Sequence, residues 1–323
     1  MTDLRRQTTS GRPTAPPNWV RRWLNDAPLQ CVVQQSDLVV ERADGPDARF
    51  VQVTVPCAAE LAGLTLQRCV TRAYTALGEQ IRQDGQVCWP VRFWNYVPDI
   101  QQQDGGNLNR YMIFNAGRWG ALAEWYGNDT AFGSNLAAAT ALDVRSKHLV
   151  VQVLAATEPG EPVENARQLP AYRYSARYGP LPPCFARATV VNDALMDRWM
   201  LVSGTASVVG EASRHPCDIH AQLRETFANL ATLAAPAGTT PEEAHGRYRS
   251  LRAYVTRKSD VPVVEAAVRR TFHALEELEI VPADLCRPEL LVEIEGVAEA
   301  VRSGHAAGRA RRSTSPSPVE SAQ

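Results

Sequence analysis

The sequence has no apolar run of about 18 residues or more, which leaves no candidate for a membrane-spanning helix. It carries no GxGxxG, no GxxxxGK followed by Ser or Thr, and no GxSxG, so the glycine-rich signatures of dinucleotide sites, P-loops and serine-hydrolase elbows are all absent. Its seven cysteines (31, 57, 69, 88, 184, 217 and 286) are scattered and include no CxxC pair, which argues against a disulfide framework or a zinc ribbon. Charge of one sign is also lacking: the formal net charge is −1, so nothing global draws the chain to a nucleic acid or a membrane surface. The opening MTDLRRQTTSGRPTAPP is too polar for the core of a signal peptide, and the expectation is a cytoplasmic protein.

What is present is a globular composition, 45% hydrophobic over 323 residues, enough for about two domains. Residues 1–17 and 303–323 lack apolar periodicity and read as disordered tails. Between them the order of elements repeats. Strands LQCVVQ, LVVER and RFVQVTV precede a helix marked by Leu66, Val70, Ala73, Leu77 and Ile81; VRFWNYV, a helix over about 109–126 and HLVVQVLAA complete a first half, 18–158. After a Pro-rich connection, 159–183, a second half over 184–302 runs ARATVV, RWMLVSG, a helix carrying Ile219, Leu223, Phe227 and Leu230, a short helix opened by Thr240 and Pro241, LRAYVT, a helix carrying Val264, Val268, Phe272 and Leu275, and ELLVEIEGVA. The fold class is therefore α+β: two similar halves, each a mixed sheet with helices on one face, meeting at an interface suited to a ligand pocket.

Two features stand out within this frame. His215, Cys217, Asp218 and His220 lie close together in RHPCDIH, but without HxxxH spacing or a distant fourth ligand they do not read as a metal site, and Asp218 suits a helix start. The strand in CRPELLVEIEGV is harder to dismiss. Alternation places Leu291, Glu293 and Glu295 on one face, so either the glutamates point to solvent or an acid is buried to do chemistry. Glu295, nearer the strand end, reads as a surface residue or a support to such a site.

FWNYVPDI, RYMIFNAGR, PAYRYSARYGPLPPCFARA, SGTASVVGEASRHPCDIHAQLRETFANL and CRPELLVEIEGV, in that order over residues 93–297, together resemble the chorismatases, which cleave the enolpyruvyl ether of chorismate. The resemblance implies two YjgF-like halves in a pseudo-trimer-like arrangement, with one chain supplying what separate subunits supply in YjgF-type trimers. It implies no cofactor and no metal, chorismate as the small-molecule partner, and a monomer. It assigns the substrate's two carboxylates to Tyr111, Arg118, Tyr174 and Arg187, with Tyr172 and Tyr178 as open alternatives to Tyr174, and catalysis to Glu293. A guanidinium fork matches a carboxylate, and protonating an enol ether at carbon needs a carboxylic acid poised near neutral pH, so both assignments are chemically apt. Cys286 and Gly204, the latter with Ser203 and Ala206 as alternatives, resemble the branch that releases 3-hydroxybenzoate rather than a dihydroxycyclohexadiene carboxylate. A non-catalytic YjgF-like protein that captures a carboxylate is the reading from another class.

Overall fold

The structure is a computed structural model that describes residues 13–83, 88–127, 132–192, 198–235 and 238–300. In chain order the first half holds α1 (Asn18–Trp23), β1 (Gln30–Gln34), β2 (Val39–Asp44), β3 (Ala48–Val55), α2 (Gly63–Ile81), β4 (Trp89–Tyr96), α3 (Arg110–Tyr126), β5 (Ala138–Asp143) and β6 (Leu149–Ala156). The second holds β7 (Glu161–Val163), β8 (Ala188–Val191), β9 (Trp199–Ala206), β10 (Val208–Val209), β11 (Ala212–Ser213), α4 (Ile219–Ala234), α5 (Pro241–His245), β12 (Tyr248–Val255), α6 (Val261–Thr271), β13 (Glu277–Pro282), β14 (Asp284–Leu285) and β15 (Val292–Glu299).

Two mixed sheets result, ordered β1-β2-β3-β6-β4-β5-β14 and β13-β12-β15-β9-β8-β7. Each has one parallel pair, β4 with β5 and β12 with β13, bridged by α3 and α6 respectively, because parallel neighbours need a crossover that a hairpin cannot supply. The helices follow their apolar stripes. Leu66, Val70, Ala73, Leu77 and Ile81 of α2 are buried against Val51, Val53, Phe93 and Val153 of the first sheet. Leu223, Phe227 and Leu230 of α4 and Val264 and Val268 of α6 cover Val292, Ile294, Leu251 and Ala253 of the second. Helix starts are marked as the local chemistry requires: the Asn109 and Asp218 side chains accept the backbone N–H groups of Met112 and Ala221, and Thr240 and Glu243 form a reciprocal box with Pro241 between them.

The faces not covered by helices pack on each other. Trp94, Tyr96, Leu142 and Leu154 from the first sheet meet Leu201, Ala206, Tyr254 and Val297 from the second, giving four layers in the order helix, sheet, sheet, helix. The N-terminal segment closes one side of this middle layer. Thr14 and Ala15 lend their carbonyls to Gln152 (2.6 Å) and Arg252 (3.1 Å), and Val20 and Leu24 are buried in it, so residues 13–17 are built into the fold rather than part of a loose tail. Residues 1–12 and the tail from 301 on lie outside the described residues. Two further departures from the sequence expectation matter. Strand β7 falls inside the presumed connection and pairs with β8, and β14 leaves the second half to pair with β5 of the first. Because β14 covers only Leu142 and Asp143, the rest of that edge of β5 meets the second half through one backbone bridge, Ala138 with Ala186, and through side chains: the Ala138 and Ala139 N–H groups donate to Thr189 Oγ1 (2.7 Å) and Ser203 Oγ (2.8 Å).

Candidate active site

Strand β15 lies between β9 and β12, with Glu293 across from Ala206 and Tyr254. Its even-numbered residues Val292 and Ile294 face the helix layer, so Glu293 and Glu295 are directed between the sheets. Both are buried, 5% and 2% exposed, which removes the solvent-facing reading for the pair and the surface reading of Glu295. The cause is tertiary: the face that a single half would leave wet is covered by the other half's sheet.

The two carboxyl groups have different surroundings. Glu295 receives Arg92 Nη2 (2.7 Å), Trp94 Nε1 (2.8 Å) and the Thr140 hydroxyl, the donor set of an ionised carboxylate. Glu293 is pushed up to about 8, first by desolvation and next by the charge of Glu295, with Arg92, Arg287 and Arg187 pulling the other way. It is therefore a protonated acid at neutral pH. Cys286 beside it is pushed up to about 12 by burial and by Glu293, so it stays a thiol and is no nucleophile.

A bulge shapes the wall next to Glu293. Ile294 pairs with Thr205 and Gly296 with Val202, so β9 sets two residues, Ser203 and Gly204, against Glu295 alone. Ser203 turns its hydroxyl to the Ala186 carbonyl (2.6 Å) and the Ala139 N–H, while the Gly204 N–H donates to Thr140 Oγ1 (3.0 Å). A Cβ on Gly204 would lie 1.9 Å from Glu293 Oε1. The glycine thus makes room for the acid itself.

A cavity of about 210 Å³ opens where the halves meet along β5, and Tyr111, Arg118, Tyr174, Arg187, Gly204, Cys286 and Glu293 all line it. Tyr111 and Arg118 come from one face of α3, seven residues apart, as two helical turns require. Arg118 is 1% exposed, with its guanidinium 5.7 Å and 5.5 Å from the Tyr74 and Phe93 rings, and its Nε and Nη2 have no hydrogen-bond partner among the described residues. Arg187, just before β8, donates to the Tyr174 hydroxyl and the Leu169 carbonyl, both at 2.7 Å, and its Nε has no hydrogen-bond partner among the described residues. Tyr178 also lines the cavity and Ala206 lies on its wall, whereas Tyr172 packs over Gly133 in the first-half core and is set apart from the site.

Sequence reasoning missed Arg287. It lines the cavity with its guanidinium 4.0 Å from the Tyr178 ring and 5.4 Å from that of Tyr174, and it donates to the Glu211 carbonyl (2.8 Å) and Ser213 Oγ (3.0 Å). The available signal was its place beside Cys286 in the motif CRPELL. It also missed Thr140, whose hydroxyl joins Glu295, Arg92 and Gly204. The cluster in RHPCDIH is otherwise occupied: Asp218 caps α4 and His215 Nε2 lies 3.3 Å from Glu225. Among the described residues, no group of three or more His, Cys, Asp or Glu side chains is gathered to hold a metal ion, and no helix is long and apolar enough to cross a membrane.

Three guanidinium groups with free or cavity-facing donors suit a small molecule bearing more than one carboxylate, and a neutral carboxylic acid among them can deliver a proton to it. Comparison with known proteins bears on which molecule. The family model described as chorismatase FkbO/Hyg5-like, N-terminal, matches residues 22–155. A 3-hydroxybenzoate synthase of Streptomyces hygroscopicus is 33% identical over 234 residues, covering 70% of this chain and 67% of that protein. A chorismatase of Streptomyces rapamycinicus is 32% identical over 265 residues, covering 78% and 75%. The crystal structure of a chorismatase superposes with a TM-score of 0.70 at 25% identity, over 82% of this chain and 78% of that one.

Proposed function

We propose that this chain, which belongs to the chorismatase family and is an enzyme, cleaves the enolpyruvyl ether of chorismate to 3-hydroxybenzoate and pyruvate, with Glu293 as the proton donor. The observation that carries the reading is a buried carboxylic acid held neutral at pH 7 in the wall of a cavity that also presents Arg118, Arg187 and Arg287. A protein built only to capture a carboxylate gains nothing from a buried acid there, because burying it costs stability and an ionised form would repel the ligand.

Glu293 transfers its proton to the terminal methylene carbon of the enol ether, leaving an oxocarbenium ion at the ether carbon beside a carboxylate that offsets its charge. An oxygen nucleophile then adds to that carbon, giving up its proton to the Glu293 carboxylate, and the adduct collapses with release of pyruvate. If water attacks, one water is consumed and the ring leaves as the dihydroxydiene acid. If the ring's own hydroxyl takes part and that oxygen is lost from the ring on aromatisation, no net water is used, since 3-hydroxybenzoate and pyruvate together contain the atoms of chorismate. Arg118 with Tyr111, and Arg187 and Arg287 with Tyr174, hold the two carboxylates while this happens.

Incubating the purified protein with chorismate, following pyruvate by a coupled enzyme and separating the aromatic products tests the reading directly. Release of 3-hydroxybenzoate with equimolar pyruvate is expected. Release of the diene acid alone overturns the product, and no consumption of chorismate overturns the activity.

The pH profile follows from the acid. Above its folded-state value of about 8, Glu293 is increasingly ionised, so kcat/KM should fall about tenfold per pH unit on the alkaline side. In Glu295→Gln the neighbouring negative charge is gone, ionisation of Glu293 becomes easier, and the alkaline limb should move to lower pH. A limb that stays in place in a folded Glu295→Gln protein removes Glu293 as the titrating acid.

Gly204→Ala tests the bulge. The added methyl drives the Glu293 carboxyl from its position, so turnover should fall and the product mixture shift toward the dihydroxydiene acid, more so with Cys286→Val beside it. Chromatographic product ratios identical to wild type would show that neither residue governs the outcome.

A further inference from the structure

Gln168 occupies the cavity wall with no part in the chemistry above. It is 7% exposed, and its position is doubly fixed: its backbone N–H donates to the Asn165 carbonyl (2.9 Å), and the following residue's N–H donates to the Gly210 carbonyl (2.9 Å). Its side-chain amide nitrogen donates to the Val208 carbonyl at 3.2 Å. That contact settles which way the amide points, because turning it over would set the amide oxygen against another carbonyl oxygen. The Oε1 atom is buried and has no hydrogen-bond partner among the described residues. A buried acceptor left unpaired has given up its hydration for nothing in return, so an occupied cavity gains by supplying a donor there.

The substrate's own inventory decides which of its groups can do so. At neutral pH both carboxylates of chorismate are ionised and only accept hydrogen bonds, and the ether oxygen also only accepts. The ring hydroxyl is the one donor on the molecule. A carboxylate placed against Gln168 Oε1 would meet a lone pair instead of a hydrogen, whereas Arg118, Arg187 and Arg287 are donors only. Donor and acceptor pairing therefore sorts the ligand: anionic arms to the arginines, hydroxyl to the glutamine. We infer that Gln168 is a specificity-determining residue that accepts the ring hydroxyl of the substrate, an inference that rests on the chorismate reading. The neighbouring Leu169 carbonyl is already taken by Arg187, so the same turn of chain fixes a carboxylate clamp and a hydroxyl acceptor side by side.

Two unreactive lactyl ethers, made by reducing the enol double bond so that protonation at carbon cannot begin, serve as probes: one carries the ring hydroxyl and the other lacks it. Their dissociation constants are measured by calorimetry on wild-type protein and on Gln168→Met, which keeps length and volume but offers no strong acceptor. Wild type should prefer the hydroxylated ether by about tenfold, the usual worth of such a bond. In Gln168→Met the two ethers should bind within about twofold of each other. Because each preference is a ratio within one preparation, partial loss of folded protein cancels. The same preference in both proteins overturns the inference, and so does a wild type indifferent to the hydroxyl, a measurement that stands even if the variant does not fold. Either result leaves chorismate turnover by wild type intact, whereas failure of the substrate reading itself appears as no turnover and no binding of either ether.

Discussion

Replacing Glu293 with Gln is expected to cut pyruvate release by about 10²-fold or more, the scale that a positioned general acid supplies, with the fold intact. The amide has the size and much of the hydrogen-bonding capacity of the neutral acid that it replaces, so the wall of the cavity formed by Gly204, Cys286 and β15 keeps its shape. What is lost is a proton that can move to carbon. KM should change little, because the arginines that hold the substrate are untouched. The deficit should also narrow as pH rises past about 8, where the wild-type acid has itself lost its proton. Stopped assays for pyruvate, with circular dichroism to verify folding, decide the matter. Near-normal turnover by a folded Gln variant would mean that the proton comes from elsewhere.

The second large effect is a contrast between two arginines. Arg118→Ala and Arg187→Ala should each weaken substrate binding by about 1.5–3 kcal/mol, the usual worth of hydrogen bonds to charged groups, which is roughly 10- to 150-fold in the binding constant. They should differ in stability. Arg118 is a buried cation whose Nε and Nη2 have no hydrogen-bond partner among the described residues, so removing it abolishes a desolvated charge at the cost of some ring contact, and the melting temperature should hold or rise. Arg187 supports the Leu169 carbonyl and the Tyr174 hydroxyl, so its removal orphans both and should lower the melting temperature as well. Thermal melts beside binding isotherms read both quantities. Unchanged binding in either variant removes that arginine from the clamp, and equal losses of stability in the two would contradict the hydrogen-bond pattern on which the contrast is built.

The stripes of α2, α4 and α6, the strands with alternating or continuous apolar runs and the caps at Asn109, Asp218 and Thr240 depend on contacts within a few residues, and such local periodicity is what a linear sequence records. Strand β5 was not legible. Its residues AATALD are mostly small, with Thr140 as the single β-branched side chain and no aromatic one to mark a strand, and they are strand because small side chains let β8 and β9 approach closely enough for Thr189 and Ser203 to take its N–H groups. That unread strand carries Thr140 and part of the cavity wall.

The same division runs through the site. The resemblance to the chorismatases pointed to Tyr111, Arg118, Tyr174, Arg187, Gly204, Cys286 and Glu293, and the alternation of β15 put Glu293 and Glu295 on one face, because short motifs and short-range geometry are written in the order of residues. Which way that face looked was not. Only the packing of one sheet on the other turned it from solvent to interior, gave Glu295 its partners Arg92, Trp94 and Thr140, and desolvated Glu293 until it kept its proton. The bulge that sets Gly204 against the acid, the arrival of Arg287 over Tyr178 and the burial of the Gln168 side-chain oxygen were likewise decided by tertiary structure. Each depends on the distance between chain segments far apart in sequence, and burial, the quantity that sets their electrostatics, exists only once those segments have met.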